Sequence, residues 1–315
     1  MLEKIVFYVR HRGFKEILFI ILRIITENLA YLFEPYLSDS NFQRILMGPR
    51  IRYIPDLKTA NTFNEKLLRM KLNTQGAGLH YLVDKLHAKW IINKYLGKDY
   101  EISTYAYGNH INSINWESLP SNFVIKPTHL SGELIICKNG LYKYNNTITK
   151  NPNLIKGICE SWLEQSHYNN SREPWYDQLK PRLIIEQLLD SPDCNLLDYK
   201  FHVFNSRVEF IGVIDRTTPV PNKTVYDRTW KKQEFELNYP SIKSHMKPEK
   251  LDEMIKIAEK ASKLVTLNYI RIDLYNLSEQ IYVGEFTLCP SGGGELFIPK
   301  LWDYKWGRLM EPINK

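Results

Sequence analysis

The sequence predicts an α+β protein, and three observations carry that expectation. Apolar residues recur at helical spacing through the first third of the chain, and from Asn122 onward the period shortens to that of strands. Two of those strands, 199–204 and 207–214, flank Asn205-Ser206, a pair short enough for a two-residue hairpin turn. Helices and antiparallel strands in separate runs give α+β, with α/β as the neighbouring class. At 315 residues, with 43% hydrophobic, 13% aromatic and 24% charged residues, the chain reads as globular. Its length suits one large domain or two to three associated subdomains.

The elements follow in order. Ile17-Leu18-Phe19-Ile20-Ile21-Leu22 is apolar, but Arg23 and Glu27 interrupt it far short of the roughly 20 residues a membrane-spanning helix needs. No small-residue cleavage site follows it. Lys4, Arg10, Arg12, Lys15 and Arg23 decorate the region, which leaves two readings. One is a helix lying on an anionic bilayer; the other, the commoner, packs its apolar face on the rest of the protein. Residues 63–72 and 81–97 are helical in spacing, the second stopping at Gly97. Strands are expected in 122–127, 133–140, 182–189, 270–275 and 281–286, besides the central hairpin. Helices are expected at 153–164 and 247–265, the latter with Pro248 in its first turn.

Lys and Arg outnumber Asp and Glu by 42 to 35, and the net +7 favours an anionic partner: nucleotide, phosphorylated substrate, acidic glycan or anionic membrane. Nucleic acid is the weakest of the anions, because the chain has no zinc-finger spacing, no RRM-type aromatic motif and no run of five basic residues. Its four cysteines form no CxxC pair, which points to a reduced, cytosolic setting. HExxH, GxxxxGK[ST] and GxGxxG are absent, so zinc hydrolase, P-loop and dinucleotide-binding classes are disfavoured.

Three stretches could carry chemistry. A strand at 270–275 puts Arg271, Asp273 and Tyr275 on one face, and a return strand at 281–287 makes Asp273 and Glu285 opposite or diagonal neighbours, with Thr287 on the face of Glu285. Paired carboxylates call for a proton or a cation between them, and oxygen ligands suit Mg2+. The alternative is an exposed hairpin whose acids meet water. Lys126 ends a strand and is followed by a loop with Thr128, His129, Ser131 and Gly132, a way to hold phosphates through one ammonium and several backbone N–H groups. An ordinary edge-strand lysine is the other reading. Glu186, Gln187 and Leu189 end an apolar strand that could offer backbone to an adenine edge, with Asp193 downstream for a ribose; a buried strand running into a loop is the alternative.

The order of these pieces is more informative than any one of them. Phe63-Asn64-Glu65-Lys66, Asp84-Lys85, Phe123-Val124-Ile125-Lys126, Ile185-Glu186, Asp198-Tyr199-Lys200-Phe201, Arg271-Ile272-Asp273-Leu274-Tyr275 and Gly284-Glu285-Phe286-Thr287 together resemble the successive motifs of the TupA-like ATP-grasp family, over roughly residues 55–308. That family is associated with bacterial teichuronopeptide, capsule and related surface-polysaccharide synthesis. The resemblance implies two α+β subdomains clamping ATP. A helical extension would occupy 1–54, an N-terminal subdomain 55–120, an ATP-binding lid 121–190 and a C-terminal subdomain with the metal site 191–315.

It also implies roles. Lys85 and Lys126 would hold ATP phosphates, the loop of His129, Ser131 and Gly132 would close over them, and Glu186, Gln187 and Leu189 would form the adenine hinge with Asp193 at the ribose. Lys200 would be a further phosphate-side lysine or a structural ion pair. Asp273 and Glu285 would bind Mg2+, with Thr287 where many relatives have Asn, which leaves one metal or two open. Arg271 would stabilise the oxyanion formed as an amine attacks an acyl phosphate, or pair with the same acids. Ser291, Gly292 and Gly293 fall beside the acceptor, and Arg216 and Arg228 are candidates for an anionic substrate. The implied reaction is ATP-dependent ligation of a small amine or amino acid to a carboxylate of an anionic glycan or peptide, in the cytoplasm. Two other readings stand beside it: a phosphotransferase acting on a glycan hydroxyl, and a non-catalytic adaptor that meets the inner face of the membrane through residues 4–33.

Overall fold

In the computed structural model the described residues are 2–74, 78–190, 196–216, 221–277 and 279–310, with side chains from Ile5 onward. Two compact units emerge: one comprises Met1–Thr74, Leu197–Asn276 and Thr287–Lys315, the other Gln75–Leu196 and Leu277–Phe286.

The first unit opens with α1 (Leu2–Arg12), α2 (Lys15–Leu32), α3 (Asp39–Ile51) and α4 (Phe63–Asn73). Capping sets two of these starts. Ser38 Oγ accepts from Asn41 N at the head of α3. Thr62 and Glu65 cap α4 reciprocally, side chain to backbone, at 3.1 and 3.0 Å. Ala30, Phe42, Leu46, Met47, Leu57 and Leu68 make a small apolar core among these helices. The commoner sequence reading of α2 is corrected here. Its charged face turns inward, Glu16 buried against Arg52 at 2.6 Å and Glu27 taking Arg50 at 2.6 Å. Phe14, Leu18 and Leu32 on the apolar face are 81%, 67% and 69% exposed. Ion pairs to α3 and Arg52 decide which face is covered.

The second unit begins with α5 (His80–Val83) and α6 (Lys85–Ile91), which runs on through a π turn to Gly97. The single helix expected at 81–97 is broken at Asp84, whose extended backbone and Oδ1, accepting from Leu86 N and His87 N, cap a new helix. Then come β1 (Thr104–Gly108), β2 (Asn122–Pro127), β3 (Ile135–Lys138), β4 (Leu141–Tyr144), β5 (Thr147–Thr149), α7 (Pro152–Leu163), α8 (His167–Ser171) and β6 (Leu183–Gln187). The strands form one antiparallel sheet in the order β1-β6-β2-β3-β4-β5. Ile155, Cys159 and Trp162 of α7 belong to the same core as Phe123, Ile125, Leu183 and Ile185, so the helix covers one face of the neighbouring strands β2 and β6.

The first unit resumes with β7 (Asp198–Phe204), β8 (Arg207–Asp215), β9 (Asn222–Asp227), β10 (Glu236–Leu237), α9 (Leu251–Ser262) and β11 (Tyr269–Leu277). β12 (Gln280–Thr287) follows, its residues through Phe286 counted with the second unit, and β13 (Phe297–Ile298) and α10 (Leu301–Leu309) complete the first. Within this unit the sheet order is β11-β7-β8-β9, antiparallel throughout. Asn205 and Ser206 take φ of 48° and 61°, the two positive values that a tight hairpin turn requires. α9 starts at Leu251 rather than Lys247: Leu251 N donates to Pro248 O, so Pro248 belongs to the turn before the helix. Among the described residues no helix is long and apolar enough to cross a membrane.

Candidate functional site

Strand register assembles the first group. Asp273 on β11 stands opposite Lys200 on β7, and Arg271 opposite His202. Asp273 Oδ1 accepts from Arg271 Nε at 2.6 Å, while Oδ2 accepts from Arg271 at 2.8 Å and from Lys200 Nζ at 2.5 Å. Lys200 also reaches Asp198 at 3.0 Å. All three of Arg271, Asp273 and Lys200 are buried. Burial alone would raise the Asp273 carboxyl, but the two cations outweigh it and hold it below the ordinary carboxylate range. Arg271 also donates to Thr287 Oγ1 at 2.9 Å, which places the end of β12 beside the middle of β11.

The donor set here is hard oxygen, as Mg2+ prefers. Each carboxylate oxygen has two acceptor positions, so Asp273 Oδ2 is filled by its two donors while Oδ1 keeps one lone pair beside the Arg271 bond. Among the described residues no group of three acids, histidines or cysteines is poised for a metal. Glu285, the other expected ligand, belongs to the second unit.

In the second unit, Glu186 on β6 faces the diagonal lysine of β2. Its carboxylate takes Lys126 Nζ at 2.5 Å and Lys89 Nζ at 2.9 Å. Burial pushes the Glu186 carboxyl up, yet the two ammonium groups bring it down to about 2. Lys89, in α6, was not read from the sequence, because its partner lies 97 positions away and no motif joins them. Lys85 Nζ donates to Leu130 O at 2.5 Å. Burial depresses its ammonium, and Glu285, acting from within the same unit, opposes that effect most strongly.

The loop after β2 has a divided character. The His129 imidazole is buried, its Nε2 3.0 Å from Trp162 O, while Ser131 and Gly132 are exposed. Gln187 donates its backbone N–H to Ser103 O and Leu189 is buried. Asp193 lies outside the described residues.

The turn at 290–294 is held by its neighbours. Ser291, Gly292 and Gly293 have φ of 54°, 65° and 88°. Lys71 Nζ donates to Gly292 O at 2.8 Å, and Asn238 Nδ2 to Ser291 Oγ at 3.2 Å. A Cβ on Gly293 would sit 2.6 Å from Leu68 Cδ2, and one on Gly294 2.7 Å from Met47 Sδ. The glycines therefore let α3 and α4 close onto the turn. Arg216 and Ser291 line one cavity of about 540 Å³, whereas Arg228, paired with Glu259 at 3.2 Å, lines another of about 630 Å³. The two arginines do not share a site.

A buried pair nearby went unread in the sequence. Lys223 of β9 is 2% exposed, with its Nζ 3.8 Å from Glu295 Oε1, and burial brings its ammonium down to about 8. Asn238 and Ser291 both donate to the same Glu295 oxygen, tying the pair to the turn.

The chain has no significant match among curated proteins. Among solved structures it is similar to D-alanine–D-alanine ligase from Bacillus anthracis, at 19% identity over 75% of this chain and 66% of that one, with a TM-score of 0.46. The same ligase complexed with ATP matches at 16% identity over 66% of this chain, with a TM-score of 0.40. The ATP-grasp ligase PsnB, complexed with a minimal precursor, matches at 12% identity over 80% of this chain, with a TM-score of 0.37. The chain spans 54% to 66% of the length of these proteins. The assignment rests instead on a family model: the TupA-like ATP-grasp model matches residues 65–311, from the Glu65 cap through the Asp273 strand to α10, and the chain belongs to that family.

Proposed function

We propose that this ATP-grasp ligase joins an amine, such as an amino acid, to a carboxylate of a uronic-acid-bearing surface polysaccharide. The observation that supports the reading is the buried Arg271–Asp273–Lys200 cluster, a fixed charge pattern on the adjacent strands β11 and β7, within the span of the family match. The γ-phosphoryl group passes from ATP to a carboxylate oxygen, giving ADP and an acyl phosphate. The amine nitrogen then attacks the acyl carbon, phosphate departs with the C–O electron pair, and the surplus amine proton is released.

The residues divide this work. Lys85 and Lys126 bind phosphate oxygens, Ser131 and Gly132 supply backbone N–H groups above them, and Gln187 and Leu189 border the adenine. Glu186 holds Lys126 and Lys89 in place. Asp273 and Glu285 would hold Mg2+, which when bound would supply positive charge to the phosphates. Arg271, held in place by Asp273, supplies positive charge to the oxyanion. The enzyme works in the cytoplasm, and the exposed Phe14, Leu18 and Leu32 face of α2 supports a peripheral contact with the membrane.

Purified protein given ATP, Mg2+, amino acids and a panel of uronic-acid glycans is expected to release ADP and form a product lighter than its two substrates by one water. A phosphorylated product would establish the phosphotransferase instead, and no ADP with any pair would sink the ligase. Asp273→Asn and Glu285→Gln should each abolish turnover. Co-sedimentation with anionic vesicles, lost in a Leu18→Glu, Leu32→Glu variant, checks the membrane contact.

A further inference from the structure

The first unit holds a cavity of about 540 Å³, within the roughly 300–1,000 Å³ usual for small-ligand sites. Residues of α1, α2 and α3 line it together with the Ser291 turn. Among the described residues, five lining side chains are arginines, Arg12, Arg23, Arg50, Arg52 and Arg216, and Glu16 is the sole acid. We infer that this cavity binds a multiply charged anionic group on the acceptor, a diphosphate or a comparably charged phosphorylated sugar. The inference deepens the proposed ligase reading and rests on it for the identity of the ligand's carrier.

A structural ion-pair network balances its charges, and this one does not. Arg12 pairs with Glu236 at 2.7 Å and Arg52 with Glu16 at 2.6 Å, one cation to one acid. Arg23 and Arg50, however, share a single oxygen, Glu27 Oε1, at 2.8 and 2.6 Å. One positive charge is left over there. Arg216 stands 3.7 Å from Asp198, beyond hydrogen-bond length, and its side chain is 62% exposed. Every guanidinium has five N–H donors and spends only part of them on its anchor.

The anchors fix these forks before any ligand arrives, which lowers the ordering cost of binding. A lone carboxylate would need only one bidentate guanidinium, whereas several convergent ones match an anion with many oxygens. The Tyr8 phenol, which burial pushes up to about 12, stays protonated and adds a neutral donor to the same wall. Gly294 belongs here too, since a Cβ would meet Met47 Sδ at 2.7 Å and Arg50 Cδ at 3.3 Å. Its bare backbone lets α3 carry Arg50 up to the turn that the sequence places beside the acceptor.

The test is calorimetry on the full chain with inorganic pyrophosphate, a UDP-linked uronic acid, a short prenyl-diphosphate sugar and free glucuronic acid. The diphosphates are expected to bind and free glucuronic acid, singly charged, to bind far more weakly. Tighter binding of the UDP or of the prenyl form identifies the carrier. Arg50→Gln should weaken pyrophosphate by at least about tenfold, the loss of one charge-assisted contact. Arg216→Gln, at an exposed position, should do the same without endangering the fold, while a fluorescent ATP analogue binds both variants as before. Lys126→Ala should keep pyrophosphate binding.

If pyrophosphate is lost in Lys126→Ala and retained in both arginine variants, it sits in the nucleotide site and the inference is overturned. A wild-type protein that binds ATP but no diphosphate overturns it equally. Diphosphate binding at the arginines without ATP binding would uphold the cavity and remove the ligase reading, and failure of both ligands would remove both.

Discussion

Glu186 and Asp273 are each sunk between two cations, and each has consequences for how the protein responds to pH. Glu186 has its carboxyl lowered from 4.5 to about 2 in the folded state. A depressed carboxylate stabilises the fold fully above its unfolded value and loses that contribution as pH falls from about 4.5 towards about 2, at most about 3 kcal/mol here. Glu186→Gln should flatten this acid limb in denaturation midpoints measured across the acid range. The same change leaves Lys126 and Lys89 facing each other unpaired, so it should also cost about 3 kcal/mol near neutrality. Arg271→Gln tests the other cluster, with kcat expected to fall about 10²–10³-fold, the loss usual for one oxyanion donor. Single residues were legible where a strand's two-residue period or a local motif pointed to them, as for Arg271, Asp273 and Lys126. Lys89, Lys223 and Glu295 were not, because their partners are set by tertiary packing across long separations that carry no local pattern.

Elements carry the site through their ends and close approaches. α4 begins in the Thr62–Glu65 box, and next to it Asn64 donates to Asp303 Oδ2 and to Glu295 O, both at 2.8 Å. The motif Phe63-Asn64-Glu65-Lys66 thus has a structural reason: it starts the helix and ties it to the segment that follows the glycine turn. Thr62→Ala should cost about 1 kcal/mol, as N-cap losses do. Gly307 of α10 permits the closest approach in this region, since a Cβ there would meet Asn61 O at 2.5 Å, Thr62 C at 2.7 Å and Phe63 N at 2.8 Å. Backbone cannot step aside as a side-chain tip can. Gly307→Ala should therefore destabilise by about 3 kcal/mol, read from denaturant midpoints, well beyond its small change in volume. Most long elements were visible in the sequence because their apolar period was strong. The break at Asp84 and the inward charged face of α2 were not. Each involves a polar partner far along the chain, Arg182 on Asp84 at 2.7 Å in one case and Arg50 and Arg52 on the acids of α2 in the other.

At the scale of the whole molecule, a net +7 without nucleic-acid motifs favours an anionic partner: nucleotide, phosphorylated substrate, acidic glycan or anionic membrane. Where that charge gathers was hidden, because Arg12, Arg23, Arg50, Arg52 and Arg216 are dispersed along the chain and meet only in the fold. The arrangement has a measurable signature. A positively charged protein with a concave cluster of guanidinium groups attracts an anionic acceptor over distances set by the screening length, about 30 Å at about 0.01 M ionic strength and about 10 Å at about 0.1 M. Within that range, added salt should raise KM for a diphosphate-bearing acceptor severalfold while kcat changes little, since the buried Arg271–Asp273–Lys200 cluster is shielded from the solvent ions. Arg216→Gln should blunt the salt effect, because it removes the most exposed of the five charges. A kcat that falls with salt in step with the rise in KM would instead place the screened charges at the reacting centre, and an unchanged KM would dissociate the arginine cavity from acceptor capture.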